Sequence, residues 1–343
     1  MRRPWIFICI FLLGCAGSPD LEPAPGSTWN RLDVHTEGPC TGSAMVWDPV
    51  RGVFVLHGGQ DMNWDLRAET WEWSPKARDW RRVVAETREA PGMRLMHAMV
   101  FDSFTPRMIL FGGMIGGTYF NDTWAFDGPT ARWLRLETTG GPPAARSQHG
   151  MVYDPIGDQI VVFGGRDANI RPLHDTWLLD LTTLVWTQVD PDQKAPHPQA
   201  RDHVQMARDP LSGAIVMRGC FLDNGLPDET WHLDAQAHSW SLAETNQEPR
   251  GMDHGFLCPV ESLGGLVLFG FGGANASEAQ TWLYQPQQEV WTLLGGKGEP
   301  PEVPCDHAQV ASDGQHLFLL GGFLPAPPSS ESGVIPRGAT WRY

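Results

Sequence analysis

Arg94, Arg146, Arg201 and Arg250 stand at one equivalent position of a repeat, each just ahead of a short alternating strand. A guanidinium is planar, permanently charged and forked, so it suits carboxylates and phosphates. Cys40 and Cys305 fill the same slot in the first and last copies, and Arg67, Arg166 and Arg171 lie in neighbouring loops. The chain has 40 acidic and 25 basic residues, a net charge of −15, so a ring of arginines would focus a local positive potential. Two readings are open. The ring captures an acidic group of a ligand, or its members bond to backbone carbonyls and Asp side chains between repeats. The first predicts that substituting Arg146 and Arg201 together abolishes binding and leaves the fold intact.

The elements that would hold this ring are legible as a repeat. Thr-Trp recurs at Trp71, Trp124, Trp177, Trp231, Trp282 and Trp341, at spacings of 53, 53, 54, 51 and 59. A second Trp follows nine residues later in the first five: Trp80, Trp133, Trp186, Trp240 and Trp291. Upstream lies an apolar run ending in a Gly pair, as in Met108 to Gly113 and Ile160 to Gly165. Further upstream is an alternating segment such as His97-Ala-Met-Val-Phe-Asp102. Each unit reads as four short strands, and four strands repeated at about 50 residues is the arithmetic of a propeller blade.

The Gly-Gly pairs, Asn121-Asp122-Thr123-Trp124 with Asp127, and the later Trp133 resemble the kelch family over about residues 28–343. That resemblance implies an all-β, six-bladed kelch-type propeller with four-stranded blades. Nothing follows Trp341 at the second Trp position, but Trp29-Asn-Arg-Leu32 matches Trp133-Leu-Arg-Leu136. The last blade is therefore expected to be closed by the N-terminal strand, which also covers a sheet edge. Twelve of the 16 tryptophans then occupy the two blade positions. Trp5 falls in the leader, Trp47 and Trp73 stand at aromatic strand positions, and Trp64 alone has no scaffold explanation.

The first 14 residues read as a signal peptide, with Arg2 and Arg3 before an apolar run from Trp5 to Leu13. Leu12-Leu13-Gly14-Cys15 resembles a bacterial lipobox, which makes Cys15 the lipidation site. Residues 15–27 are then the lipidated cysteine and a Pro-, Gly- and Ser-rich tether, and 28–343 the propeller. This places the chain in the bacterial cell envelope, held to the membrane by the N-terminal lipid only, where disulfides persist. Cys40 and Cys305 are expected to pair across the ring closure, with Cys220 and Cys258 free.

The acidic balance argues against nucleic acid. No His-Cys-carboxylate cluster has metal spacing, and no cofactor or Gly-x-Ser-x-Gly nucleophile motif is present. His97, His149, His254 and His307 repeat at the start of first strands and read as packing residues. The expected function is a monomeric binding or interaction module for a protein or glycan ligand, acidic or carbohydrate. Its expected site comprises Arg94, Arg146, Arg201, Arg250, Arg166, Arg171 and Trp64, and Tyr119, Phe120, Phe221 and Phe323 are further loop aromatics. The alternative is a carbohydrate-active enzyme, since the family includes galactose oxidase and sugar mutarotases. Asp61, Asp167, Asp223 and Glu278 would be its acid–base candidates.

Overall fold

A computed structural model describes residues 29–32, 41–61, 63–84, 89–189, 196–219, 227–272, 278–294, 309–320, 323–325, 334–336 and 340–343. Cys15, Cys40, Cys220, Cys305, His307, Phe221 and Asp223 lie outside them. The chain is an all-β propeller of four-stranded blades. Among the described residues the one helical element is a 3-10 turn, Glu261–Leu263.

The strands form six four-stranded antiparallel sheets. Five are built from four strands in chain order, each contained within one repeat. The first runs Ala44–Asp48, Val53–His57, Thr70–Ser74, Asp79–Val84. The second runs Ala98–Asp102, Arg107–Phe111, Thr123–Asp127, Arg132–Leu136. The third runs Gly150–Asp154, Gln159–Phe163, Thr176–Asp180, Val185–Val189. The fourth runs Gln205–Arg208, Ile215–Arg218, Trp231–Asp234, Ser239–Leu242. The fifth runs Asp253–Val260, Gly265–Gly272, Glu278–Gln285, Val290–Leu294. The sixth joins Gln309–Ser312, Leu317–Leu320 and Thr340–Arg342 to Asn30–Leu32 from the other end of the chain. Asn30 pairs with Arg342 and Leu32 with Thr340.

Second strands are apolar on both sides because each sheet is sandwiched between two others. Ile109, Leu110 and Phe111 are all fully buried. A separate apolar cluster fills each gap between neighbouring sheets, including sixth against first through Phe318, Leu320, Phe54 and Trp73. The gap between fifth and sixth is filled by Trp29, Phe269, Val267 and Leu319. Trp29 meets Phe269 at 4.6 Å and Tyr343 at 5.2 Å between ring centroids.

The outer-strand tryptophans also lock neighbouring sheets by hydrogen bonds. Trp133, Trp240 and Trp291 donate from Nε1 to Thr70, Thr176 and Thr230 of the preceding sheet, at 2.8, 3.0 and 3.0 Å. Trp29 donates in the same way to Thr281, at 3.2 Å. In these four copies the threonine ahead of the tryptophan supplies the buried acceptor.

Candidate functional site

First strands run from the face bearing the Gly-Gly loops, here called the upper face, to a lower face of tight turns. On the upper face the segment before each first strand lies against the Gly pair of the preceding sheet. Gly59, Gly113 and Gly165 donate from their backbone N–H to the carbonyls of Arg94, Arg146 and Arg201, at 2.9, 2.8 and 2.9 Å. Gly112 and Gly113 have φ of 68° and 98°, and a Cβ on either would strike backbone oxygen at 2.8 or 2.9 Å. A side chain is excluded there by conformation and by space.

The arginine side chains continue from these junctions into the next sheet. Arg146 donates to Asp175 through Nη1 and Nη2, both at 2.7 Å, and to the carbonyls of Gly164 and Ala144 at 2.9 and 3.0 Å. Arg94 repeats the fork on Asp122, at 2.8 and 3.0 Å, with Gly112 O at 2.8 Å, and Phe120 packs on its guanidinium at 4.6 Å. Arg201 bonds to Gln199 O at 3.1 Å and faces Glu229 at 3.5 Å. All three are buried. Each staples one sheet to the next, and the paired acids hold an indole: Asp122, Asp175 and Glu229 accept from Trp124, Trp177 and Trp231 at 2.7, 2.7 and 2.9 Å. Burial pushes the Asp122 and Asp175 carboxyls up, but the arginine bonds outweigh it and hold both below the usual range.

Arg250 does not join this set, because it is exposed. Its place between the fourth and fifth sheets goes to Arg218, which sequence reasoning missed. Arg218 is buried, bonds to Pro249 O, faces Asp228 at 3.5 Å and Glu248 at 3.6 Å, and lies over Trp291. The available signal was an arginine ending an apolar run where the second and third sheets have Phe111 and Phe163. The double substitution of Arg146 and Arg201 thus removes two buried staples, so the expectation that it spares the fold is corrected.

The solvent-facing groups of the upper face are different residues. In the first sheet, Asp61 Oδ1 accepts from the backbone N–H of Asn63 and Asp65, at 2.8 and 3.0 Å. In the third, Asp167 Oδ1 accepts from Asn169 and Arg171, again at 2.8 and 3.0 Å. These two loops share one frame, which holds Trp64 at φ 67° and Ile170 at φ 61°. Trp64 is 46% exposed and Ile170 67%. A branched residue at positive φ is a genuine outlier. Asp61 also pairs with Arg67, so two of the four acids proposed for acid–base work, Asp61 and Asp167, are committed to their loops. Between them the second sheet raises a hairpin, Met114–Ile115 with Thr118–Tyr119. Arg166 is half-buried near Asp202, and Arg171 is exposed.

The central channel opens between these loops, with a volume of about 270 Å³. Met96, Gln148 and His203 ring its mouth, all at positive φ, and Gln148 Nε2 meets His203 Nε2 at 2.6 Å. His203 Nδ1 lies 3.1 Å from Asp202 Oδ1. Below come Met45, Met99, Met151 and Met206. Among the described residues no group of His, Cys, Asp and Glu is arranged to hold a metal.

Residues 25–153 and 129–322 match the family described as the KLHDC2/KLHL20/DRC7 Kelch-repeats domain. The chain belongs to the kelch-repeat family. It is 30% identical over 210 residues to the Rab9 effector protein with kelch motifs of Bos taurus, covering 55% of this chain and 53% of that protein. It is 26% identical over 328 residues to Adagio-like protein 3 of Oryza sativa subsp. japonica, covering 88% and 50%. It is 24% identical over 291 residues to human Host cell factor 2, covering 78% and 35%. The chain thus spans about half or less of these relatives' own length.

Of the four repeated histidines, His97 and His149 pack as side chains of the inner ring. His97 and His149 are buried, against His57 and Phe111 respectively. Burial, reinforced by Arg146, lowers His149 to about 3, and burial with neighbouring positive groups lowers His97 well below its usual value. The folded state therefore binds fewer protons than the unfolded chain below the ordinary histidine value of about 6.5. Stability from each neutral ring is complete above that pH and is lost as pH falls from 6.5 towards 3. For His149 alone the loss at pH 5 is about 2 kcal/mol. Urea denaturation at pH 7.5 and pH 5 should show it, and His149→Phe should narrow the difference by that amount. An unchanged difference would mean that the ring titrates normally.

Proposed function

We propose that this kelch protein is a binding module that captures a partner protein on its upper face, through Trp64, Ile170 and the exposed arginine Arg171, with Arg166 beside the channel mouth. One observation carries the reading: the same Asp-framed loop is built twice to hold a large apolar residue in a left-handed backbone, exposed, on either side of a hairpin. Such strain costs about 1–3 kcal/mol per residue and persists where the surroundings enforce it, commonly at binding sites. The similar proteins' names, an effector and a factor, name no reaction.

In this reading the sheets act as a rigid ring of six blades, and Arg94, Arg146 and Arg201 serve the scaffold. Recognition of an acidic group belongs to Arg171 and Arg166, which lie nearer solvent. The leader at residues 1–14 directs the chain to the cell envelope, where a lipid on Cys15 holds it to a membrane.

The test is a double variant, Trp64→Ser with Ile170→Ser. Both side chains are exposed, so the melting temperature should stay within a degree or two of wild type. Loss of two anchor residues should weaken partner capture by roughly thirtyfold or more. Crosslinking followed by mass spectrometry, comparing wild type and variant against one envelope extract, reads that change. Equal recovery of the same crosslinked protein from both would rule out these loops.

A further inference from the structure

The lower face carries a second pattern. The turn between first and second strands ends in an exposed apolar tip in four consecutive sheets: Val50 (67% exposed), Phe104 (76%), Ile156 (70%) and Leu211 (59%). Three of these follow an Asp-Pro pair, at Asp48, Asp154 and Asp209, and the fourth follows Asp102-Ser103. The four aspartates are buried and organise the turns. Asp48 accepts from the Val50 N–H at 3.0 Å, Asp102 from Phe104 at 3.0 Å, Asp154 from Ile156 at 3.2 Å, and Asp209 from Ser212 at 2.8 Å. Single exposed apolar residues are ordinary, but four held at one equivalent position make an arc of the kind that marks an interaction surface.

Charge and chain path say what covers it. Three of the four turn aspartates are paired with arginines, which reduces the negative charge displayed around the tips. Arg51 lies 2.6 Å from Asp48, Arg107 3.0 Å from Asp102 and Arg208 3.6 Å from Asp154. Asn30 pairs with Arg342 at the lower end of the sixth sheet, so residues 1–28 join the propeller on this same face. They include the apolar run Trp5–Leu13 and then Cys15. The segment 16–28, rich in Gly, Pro and Ser, has a contour length of at most about 45 Å. An anchor on Cys15 therefore keeps the lower face within reach of the lipid. The fifth and sixth sheets lack the tip: Leu263 packs into the core and Gln315 is polar.

We infer that Val50, Phe104, Ile156 and Leu211 seat the propeller on a lipid bilayer, with the lower face down and the Trp64 and Ile170 loops pointing away. This rests on the membrane anchoring proposed above. A lipid at the N-terminus holds the protein at one point and sets no orientation, whereas a second apolar contact on the lower face does.

The test uses the full chain on phosphatidylcholine vesicles, which carry no net charge to repel it. The protein should float with the vesicles. Amide exchange at 48–52, 102–106, 154–158 and 209–213 should slow about tenfold relative to lipid-free protein, while 61–65 and 167–171 stay unchanged. The triple variant F104S, I156S, L211S should float yet exchange at the lipid-free rate in those turns. Flotation without slowing overturns the seat and leaves the anchor standing. Failure to float overturns the anchor and the seat with it. Slowing that appears without lipid, together with a doubled molecular mass, assigns the tips to a second copy and also overturns the seat.

Discussion

Arg146→Met should lower the unfolding free energy by about 3–5 kcal/mol, the usual cost of breaking a buried ion pair by removing one partner. The substitution leaves Asp175 without its forked partner, and removes donors from Gly164 O and Ala144 O. Asp175 retains the Trp177 indole and keeps a fifth of its side chain in water, which places the result towards the lower end. For a domain of this size the melting temperature should fall by roughly 6–10 °C. Adding Asp175→Asn should recover part of the loss, because an uncompensated charge is then no longer held in the junction. The acid dependence reports the same bond. The Asp175 carboxyl is depressed in the folded state, so the stability it contributes is present above pH 4 and disappears as pH falls below it. Calorimetry at pH 7 and pH 3.5 should show the variant losing less on acidification than wild type. A melting temperature unchanged at pH 7 would show that the guanidinium is not the staple described here.

Trp29→Ala should cost a similar amount, about 3–5 kcal/mol, as large-to-small changes at buried aromatics do. The indole fills the gap between the fifth and sixth sheets and donates to Thr281. Removal leaves a cavity beside Phe269 and Tyr343 and an unpaired buried hydroxyl. The consequence reaches beyond one contact, because Asn30–Leu32 is the edge strand that covers Thr340–Arg342. Limited proteolysis should cut the variant first near its C-terminus, and Trp29→Phe should restore most of the resistance. Matching cleavage patterns in wild type and Trp29→Ala would show that the N-terminal strand does not close the sheet.

Arginine reading separated from tryptophan reading at a definite point. The tryptophan positions are set by strand alternation and by spacing within one repeat, so Trp133 and Trp29 could be matched by eye. The arginines share a repeat position too, but their exposure depends on an acid 28 or 29 residues further on, Asp122 for Arg94 and Asp175 for Arg146. Where that acid is replaced by Gln280, ahead of Trp282, Arg250 stays in water. Equivalence in sequence therefore did not mean equivalence in surroundings. The Gly pairs are legible in the sequence, and at Gly112 and Gly113 positive φ and close approach explain them. The Asp-framed loop went unnoticed because Asp61-Met-Asn-Trp64 and Asp167-Ala-Asn-Ile170 look alike only once their backbones are compared.

The sequence by itself determined the repeat, the four-stranded unit and the residues that pack it, because strand periodicity and tryptophan spacing are local properties of the chain. It also marked Trp64 as surplus to that packing. Tertiary structure alone decided which charges face inward and which apolar residues face out. Val50, Phe104, Ile156 and Leu211 have the composition of core residues and stand in water because buried aspartates tie their turns at the rim. The physical reason is that burial is a property of the whole ring: a side chain is inside only where a neighbouring sheet covers it, and that neighbour lies about 50 residues away.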